Sequence, residues 1–72
     1  MLDREKIELL LREKQYGQVR SILEEENSAD ISALLEDMSE EDMLLTYRFL
    51  SKDIAAEVFS YMEPEQQEDL IR

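Results

Sequence analysis

The chain has 72 residues, 43% hydrophobic and 38% charged, with one Gly, one Pro and no Cys, His or Trp. Its 19 acids outweigh its 8 bases for a net charge of −11, which argues against nucleic acid, whose phosphates demand Lys and Arg, and against anionic membrane surfaces. Without Cys or His there is no disulfide, thiolate nucleophile, Ser-His triad or zinc site, and a chain that buries only about 60% of its unfolded surface has little room for a catalytic cleft.

Sheet proteins need many turns, and turns draw on Gly, Pro and Asn. Their near absence predicts an all-α chain. Asp3 is placed to cap a first helix carrying Ile7, Leu10, Leu11 and Lys14, and Gly17 reads as its stop or as a tight joint. A second helix carries Val19, Ile22 and Leu23 and closes in Glu24-Glu25-Glu26-Asn27. Three carboxylates at a helix C-terminus oppose the macrodipole, so this helix frays unless something packs on it.

The next stretch repeats itself. Ser28-Ala29-Asp30-Ile31-Ser32-Ala33 returns 23 residues later as Ser51-Lys52-Asp53-Ile54-Ala55-Ala56. In each copy the Ser is placed to cap, the Asp sits in the first turn where the dipole favours it, and the Ile opens the apolar face. A second start signal follows each copy: the capping box Ser39-Glu40-Glu41-Asp42, and Glu63-Pro64-Glu65-Gln66 with Pro at the first helical position. The unit is a pair of short antiparallel helices, which cannot bury its faces alone and must stack. The fold class expected is therefore all-α, a right-handed, armadillo-like superhelix of such pairs.

The fourth helix, 40–50, is apolar on nearly every side through Met43, Leu44, Leu45, Tyr47, Phe49 and Leu50, and so is expected at the middle of the stack. On that reading truncating Leu44 or Leu45 to Ala costs about 2–5 kcal/mol. The fifth, 52–62, gathers Ile54, Ala55, Val58, Phe59, Tyr61 and Met62 on one arc. Asp53, Ala56, Glu57 and Ser60 fall on the other, with Asp53 and Glu57 four apart and therefore neighbours on the wet face. The last helix still presents Leu70 and Ile71 where the chain stops, from which we expect the natural protein to continue.

Charge is uneven. Residues 1–20 hold five basic and four acidic side chains, and residues 21–72 hold three and fifteen. The acidic clusters are 24–26, 36–42, Asp53 with Glu57, and 63–69. Most such runs are solvated faces, but a surface built for solubility mixes both signs, so a cation or basic partner is expected to relieve the excess. Carboxylates alone suit Mg²⁺ or Ca²⁺, although no EF-hand loop is present. Met38, Met43 and Met62 read as core filler, and Tyr16, Tyr47 and Tyr61 as core with wet hydroxyls. Two-carboxylate catalysis needs a cleft and stacking surfaces; no enzyme is expected.

The phrase Ser28-Ala29-Asp30-Ile31-Ser32-Ala33-Leu34-Leu35-Glu36-Asp37-Met38-Ser39-Glu40-Glu41 resembles the cytosolic N-terminal domain of MgtE-type magnesium transporters. So does Ala55-Ala56-Glu57-Val58-Phe59-Ser60-Tyr61-Met62-Glu63-Pro64-Glu65-Gln66-Gln67, and Ile7 to Leu23 is similar to that domain's opening helices. Asn27 and Ser28 stand where the family commonly has His-Pro, and Ser51 where Pro is frequent. The resemblance implies an N-terminal regulatory domain over 1–72, cut before its last helices, ahead of CBS domains and a transmembrane pore that lie outside this chain. It implies Mg²⁺ bound weakly between acidic residues of this domain and of the CBS domains of the same protein, favouring the closed pore. By position the family's interfacial Glu is Glu57, and Asp53 beside it completes the metal half-site expected here. The location implied is the cytoplasmic side of the cell membrane, in a full-length homodimer. The runner-up is a protein-interaction module like the middle region of the flagellar motor switch protein FliG, whose short helix pairs look alike.

Overall fold

A computed structural model describes residues 2–71. Six helices follow in order: α1 Arg4–Arg12, α2 Tyr16–Glu24, α3 Ser28–Asp37, α4 Glu40–Tyr47, α5 Lys52–Tyr61 and α6 Pro64–Ile71. There is no strand among the described residues. The all-α helical-repeat class expected from the turn-poor composition is what the chain adopts. Each helix is 8–10 residues long, below the length at which an isolated helix persists in water. Tertiary packing therefore holds them.

The starts are set by local capping. The Asp3 side chain accepts from the Lys6 N–H at 3.3 Å, Ser39 from Asp42 at 3.2 Å and Ser51 from Ile54 at 3.4 Å. Pro64 opens α6 as its first helical residue, where its missing N–H costs nothing. The cap of α3 differs from expectation. It is Asn27, whose side chain accepts from the Asp30 N–H at 2.8 Å, and Ser28 is already inside the helix. Asn is at least as good a cap as Ser, and the residue one earlier wins. The structural period consequently becomes 24 and not 23: α3 and α5 begin at Ser28 and Lys52, and α4 and α6 at Glu40 and Pro64. Met38 and Met62 are equivalent under that period. Both follow a helix in extended backbone, with ψ of 159° and 153°, and both are buried.

The α1–α2 joint is also built differently. Lys14, not Gly17, takes the left-handed conformation, at φ 58°. The Lys14 N–H donates to the Leu11 carbonyl at 3.1 Å and the Gln15 N–H to the Leu10 carbonyl at 2.9 Å. This pair of bonds is a Schellman ending with Lys at the position Gly favours, at a cost of about 1–2 kcal/mol. Gly17 lies within the first turn of α2.

The core runs through Ile7, Leu10 and Leu11 of α1, Val19 and Leu23 of α2, Ile31, Leu34 and Leu35 of α3, then Met38, Met43, Val58 and Met62. Burial of Val19 and Leu23 in the core, together with packing on α1, is what holds α2 despite its acidic end. The most extensive helix–helix packing is α3 on α5. The chain thus centres on α3, not α4 as the all-round apolar pattern suggested. In α4 only Met43 and Thr46 are buried, while Leu44, Leu45 and Tyr47 are half-buried. Thr46 is wholly inside and directs its hydroxyl at the Met38 sulfur, 3.6 Å away. Tyr47 donates to the Ala55 carbonyl at 2.8 Å, and burial pushes its phenol above the ordinary range. Tyr61, expected in the core, is 59% exposed. Tyr16 stacks on Phe49 with ring centroids 5.1 Å apart, tying the start of α2 to the end of α4.

Three side chains close the carbonyl ends of the central pair. Arg4 donates to the Asp37 carbonyl at 3.0 Å, Gln66 to Leu35 at 3.2 Å and Gln67 to Phe59 at 2.7 Å. Leu35 and Phe59 are 24 residues apart, so two adjacent Gln residues of α6 serve equivalent positions in the two repeats. The radius of gyration, 11.0 Å, matches a compact domain of this length, about 11 Å.

Met43→Ala should cost about 2–5 kcal/mol, out of a total of about 4–10 kcal/mol for this length. Leu44→Ala and Leu45→Ala, half-exposed, should cost clearly less, about 1–2 kcal/mol by the area they lose. Urea melts of the three variants check this. A Leu44 or Leu45 loss equal to that of Met43 would restore α4 to the centre.

Candidate functional site

The exposed face of α5 follows from which of its residues are taken inward. Val58 is fully buried, Met62 closes the same side, and Ile54, Ala55 and Phe59 are half-buried. The opposite arc is left to Asp53, Ala56, Glu57 and Ser60, all exposed. Asp53 sits in the first turn just after the Ser51 cap, where the helix N-terminus favours a carboxylate. Glu57 follows one turn on, with about 5–6 Å between the two Cβ atoms by helix geometry.

Glu57 is the better fixed of the two. The Ser28 hydroxyl donates to its Oε1 at 2.6 Å, across the α3–α5 seam and 29 residues apart in sequence. Ser28 is only 6% exposed, so an otherwise dry hydroxyl finds its acceptor at the tip of a solvated carboxylate. Ser60 donates to the Glu57 backbone carbonyl at 2.7 Å. Ser28 was expected as a cap and not at this site. Asn27 in front of it was the signal that could have released Ser28 from the capping role.

Several other acids have local tasks. Glu40, Glu41 and Asp42 fill the first turn of α4. Asp30 lies in the first turn of α3 and accepts a second bond, from the Asn27 amide at 3.0 Å. Among the described residues no group of three or more acidic side chains is arranged to hold a metal ion. Asp53 and Glu57 offer oxygens, the donor class Mg²⁺ requires, but Mg²⁺ takes six near-octahedral oxygens. The pair supplies at most part of that shell, the rest being water or another surface. A dent of about 560 Å³ at the α1–α2 joint is lined by Lys6, Lys14, Gln15 and Tyr16 among others; two lysines make it no home for a divalent cation.

A family model described as the MgtE intracellular N domain matches residues 26–72. The chain belongs to this family. The matched segment opens one residue before the Asn27 cap and takes in both helix pairs, α3–α4 and α5–α6, with Asp53, Glu57 and Ser28 inside it. The likeness expected for the opening helices is not covered, since α1 and α2 lie outside the match. No curated protein matches the chain significantly. None of the described helices is long and apolar enough to cross a membrane.

The Ser28–Glu57 bond makes Glu57→Ala a compound change. It removes a charge and also leaves a buried hydroxyl without its acceptor, which costs about 1–3 kcal/mol. Glu57→Gln removes the charge and keeps an acceptor oxygen. The expected outcome is a thermal midpoint near the parent's for Glu57→Gln and a drop of several degrees for Glu57→Ala, using about 4–8 °C per kcal/mol. Equal melts for both variants would mean that the bond carries no stability.

Proposed function

We propose that the chain is a cytosolic magnesium-sensing regulatory domain of a magnesium transporter. The family match over residues 26–72 carries this reading. The outward pair of Asp53 and Glu57 on α5 supports it, as does the net charge of −11.

The physical basis is repulsion between like-charged surfaces. In the intact protein the acidic face of α5 lies against acidic CBS domains of the same polypeptide. Screening at physiological salt confines charge–charge forces to about 8 Å, so the repulsion acts only where the two faces meet. Two carboxylates 4 Å apart repel by about 1 kcal/mol in water and about 4 kcal/mol where the interface lowers the effective dielectric to about 20. A hydrated Mg²⁺ between them reverses the sign. Asp53 and Glu57 form one half of that site and the CBS domains the other, so each ion is held weakly. When Mg²⁺ is plentiful the domains close and the pore shuts; when it falls they separate. The domain does its work on the cytoplasmic side of the membrane, in a homodimer of the full-length transporter.

Limited proteolysis of the full-length transporter, titrated with Mg²⁺, tests this reading. Mg²⁺ should protect the linker between this domain and the CBS domains. Glu57→Gln should raise the Mg²⁺ concentration for half-protection by about threefold or more, as expected for losing one charged contact of about 1 kcal/mol. An unchanged titration would remove Glu57 from the site.

A further inference from the structure

We infer that Ser28 is a positioning residue for Glu57: its hydroxyl, held at the α3–α5 seam, engages one carboxylate oxygen and so directs the other toward a hydrated divalent cation. The inference rests on the reading of Glu57 as a cation-facing carboxylate, and goes beyond it by assigning a second, uncharged residue on a different helix.

The contact has unequal ends. Ser28 is 6% exposed and belongs to the first turn of α3, whereas Glu57 is exposed on α5. A glutamate on a helix surface ordinarily samples many rotamers. Here Oε1 accepts from Ser28 at 2.6 Å, within the range of charge-assisted O–H···O⁻ bonds. An ionised carboxylate can only accept, so the direction of the bond is fixed. With Oε1 engaged, Oε2 is the oxygen left to meet a cation. The backbone beneath is fixed as well, because Val58, the next residue, is fully buried in the core.

Mg²⁺ keeps several of its waters and reads a carboxylate by the placement of its oxygens. A Glu already ordered in one rotamer binds without the loss of side-chain entropy that a free one would pay. Groups that hold a metal-facing ligand in place commonly change affinity by about 10–100-fold; for a weak, water-mediated half-site the lower end applies.

The helix start allows the hydroxyl to be removed without disturbing the fold. Ser28 is the first residue of α3, a position that tolerates Pro, as Pro64 at the first position of α6 demonstrates in this chain. Asn27 before it has φ −81° and ψ 160°, the backbone a pre-proline residue prefers. Ser28→Ala and Ser28→Pro therefore delete the donor by two independent routes, and Ser28→Thr keeps it.

The probe is Mn²⁺, an oxygen-preferring stand-in for Mg²⁺ whose paramagnetism broadens nearby amide NMR signals. In the 72-residue chain, Mn²⁺ should broaden amides of residues 53–57 at the lowest concentrations. Ser28→Ala and Ser28→Pro should need about three to ten times more Mn²⁺ for the same broadening there. Broadening at the α4 acids 40–42 should stay unchanged, which a merely structural role for Ser28 would not predict. Ser28→Thr should titrate like the parent. Parent-like titration of residues 53–57 in both Ala and Pro variants would overturn the positioning role while leaving Glu57 as the cation-facing group. Absence of preferential broadening at 53–57 in the parent itself would also overturn the role of Ser28, since an oxygen held ready for a cation should gather it there; the interfacial reading of Glu57 is decided separately, by the Mg²⁺ titration of the full-length transporter.

Discussion

The structure depends on the packing of α3 against α5. Ile31 and Leu35 from one helix and Val58 from the other have no exposure at all. No helix here exceeds 10 residues, so none would persist alone. Met38 and Met62 close the ends of the two central helices in the same extended conformation. Arg4 satisfies the Asp37 carbonyl at the end of α3, and Gln66 and Gln67 add second bonds to the Leu35 and Phe59 carbonyls, which already accept from the Met38 and Met62 N–H groups. In this way α1 and α6 brace the seam from outside.

The same seam decides which way the acids face. Turning Val58 inward on a helix obliges Asp53 and Glu57 to face outward, because residues on opposite arcs cannot share a side. Residues 21–72 hold fifteen acids and three bases, so basic side chains there are too few to balance the charge that results. In the function proposed, such a surface responds to a cation or to a facing surface. Ser28 sits where these two demands meet, with its backbone in the first turn of α3 and its hydroxyl on the Glu57 carboxylate.

What could be read in advance was what local chemistry decides. Asp3, Ser39, Ser51 and Pro64 each announce a helix start through bonds spanning three residues or through a fixed φ, and each stands where it was expected. The outward placement of Asp53 and Glu57 was legible because it follows from periodicity alone. The misreadings share a cause: a local signal was outcompeted by a neighbour or by tertiary contacts. Ser28 looked like Ser51, but Asn27 took the cap and shifted the repeat from 23 to 24 residues. Gly17 looked like a stop, but the bonds from Lys14 and Gln15 close α1 three residues earlier. Leu44 and Leu45 made α4 look central, yet an apolar sequence does not say which of its sides is surrounded. Ser32 and Thr46, both buried, give α3 and α4 polar residues in the interior that hydropathy assigns to the surface. The Ser28–Glu57 bond joins residues 29 apart, and nothing in a single sequence couples them.

Native-state hydrogen exchange tests the primacy of the seam most directly. Amides in the interior of α3 and α5, Leu35 and Leu34 on one side and Val58 and Phe59 on the other, should exchange slowest of all. They should also share one opening free energy, equal to that of global unfolding, because neither helix survives without the other. Amides of α4 around Leu44 and Leu45 should open at lower free energy. If α4 is instead the slowest, or if α3 and α5 open at clearly different free energies, the account of a single governing seam is contradicted.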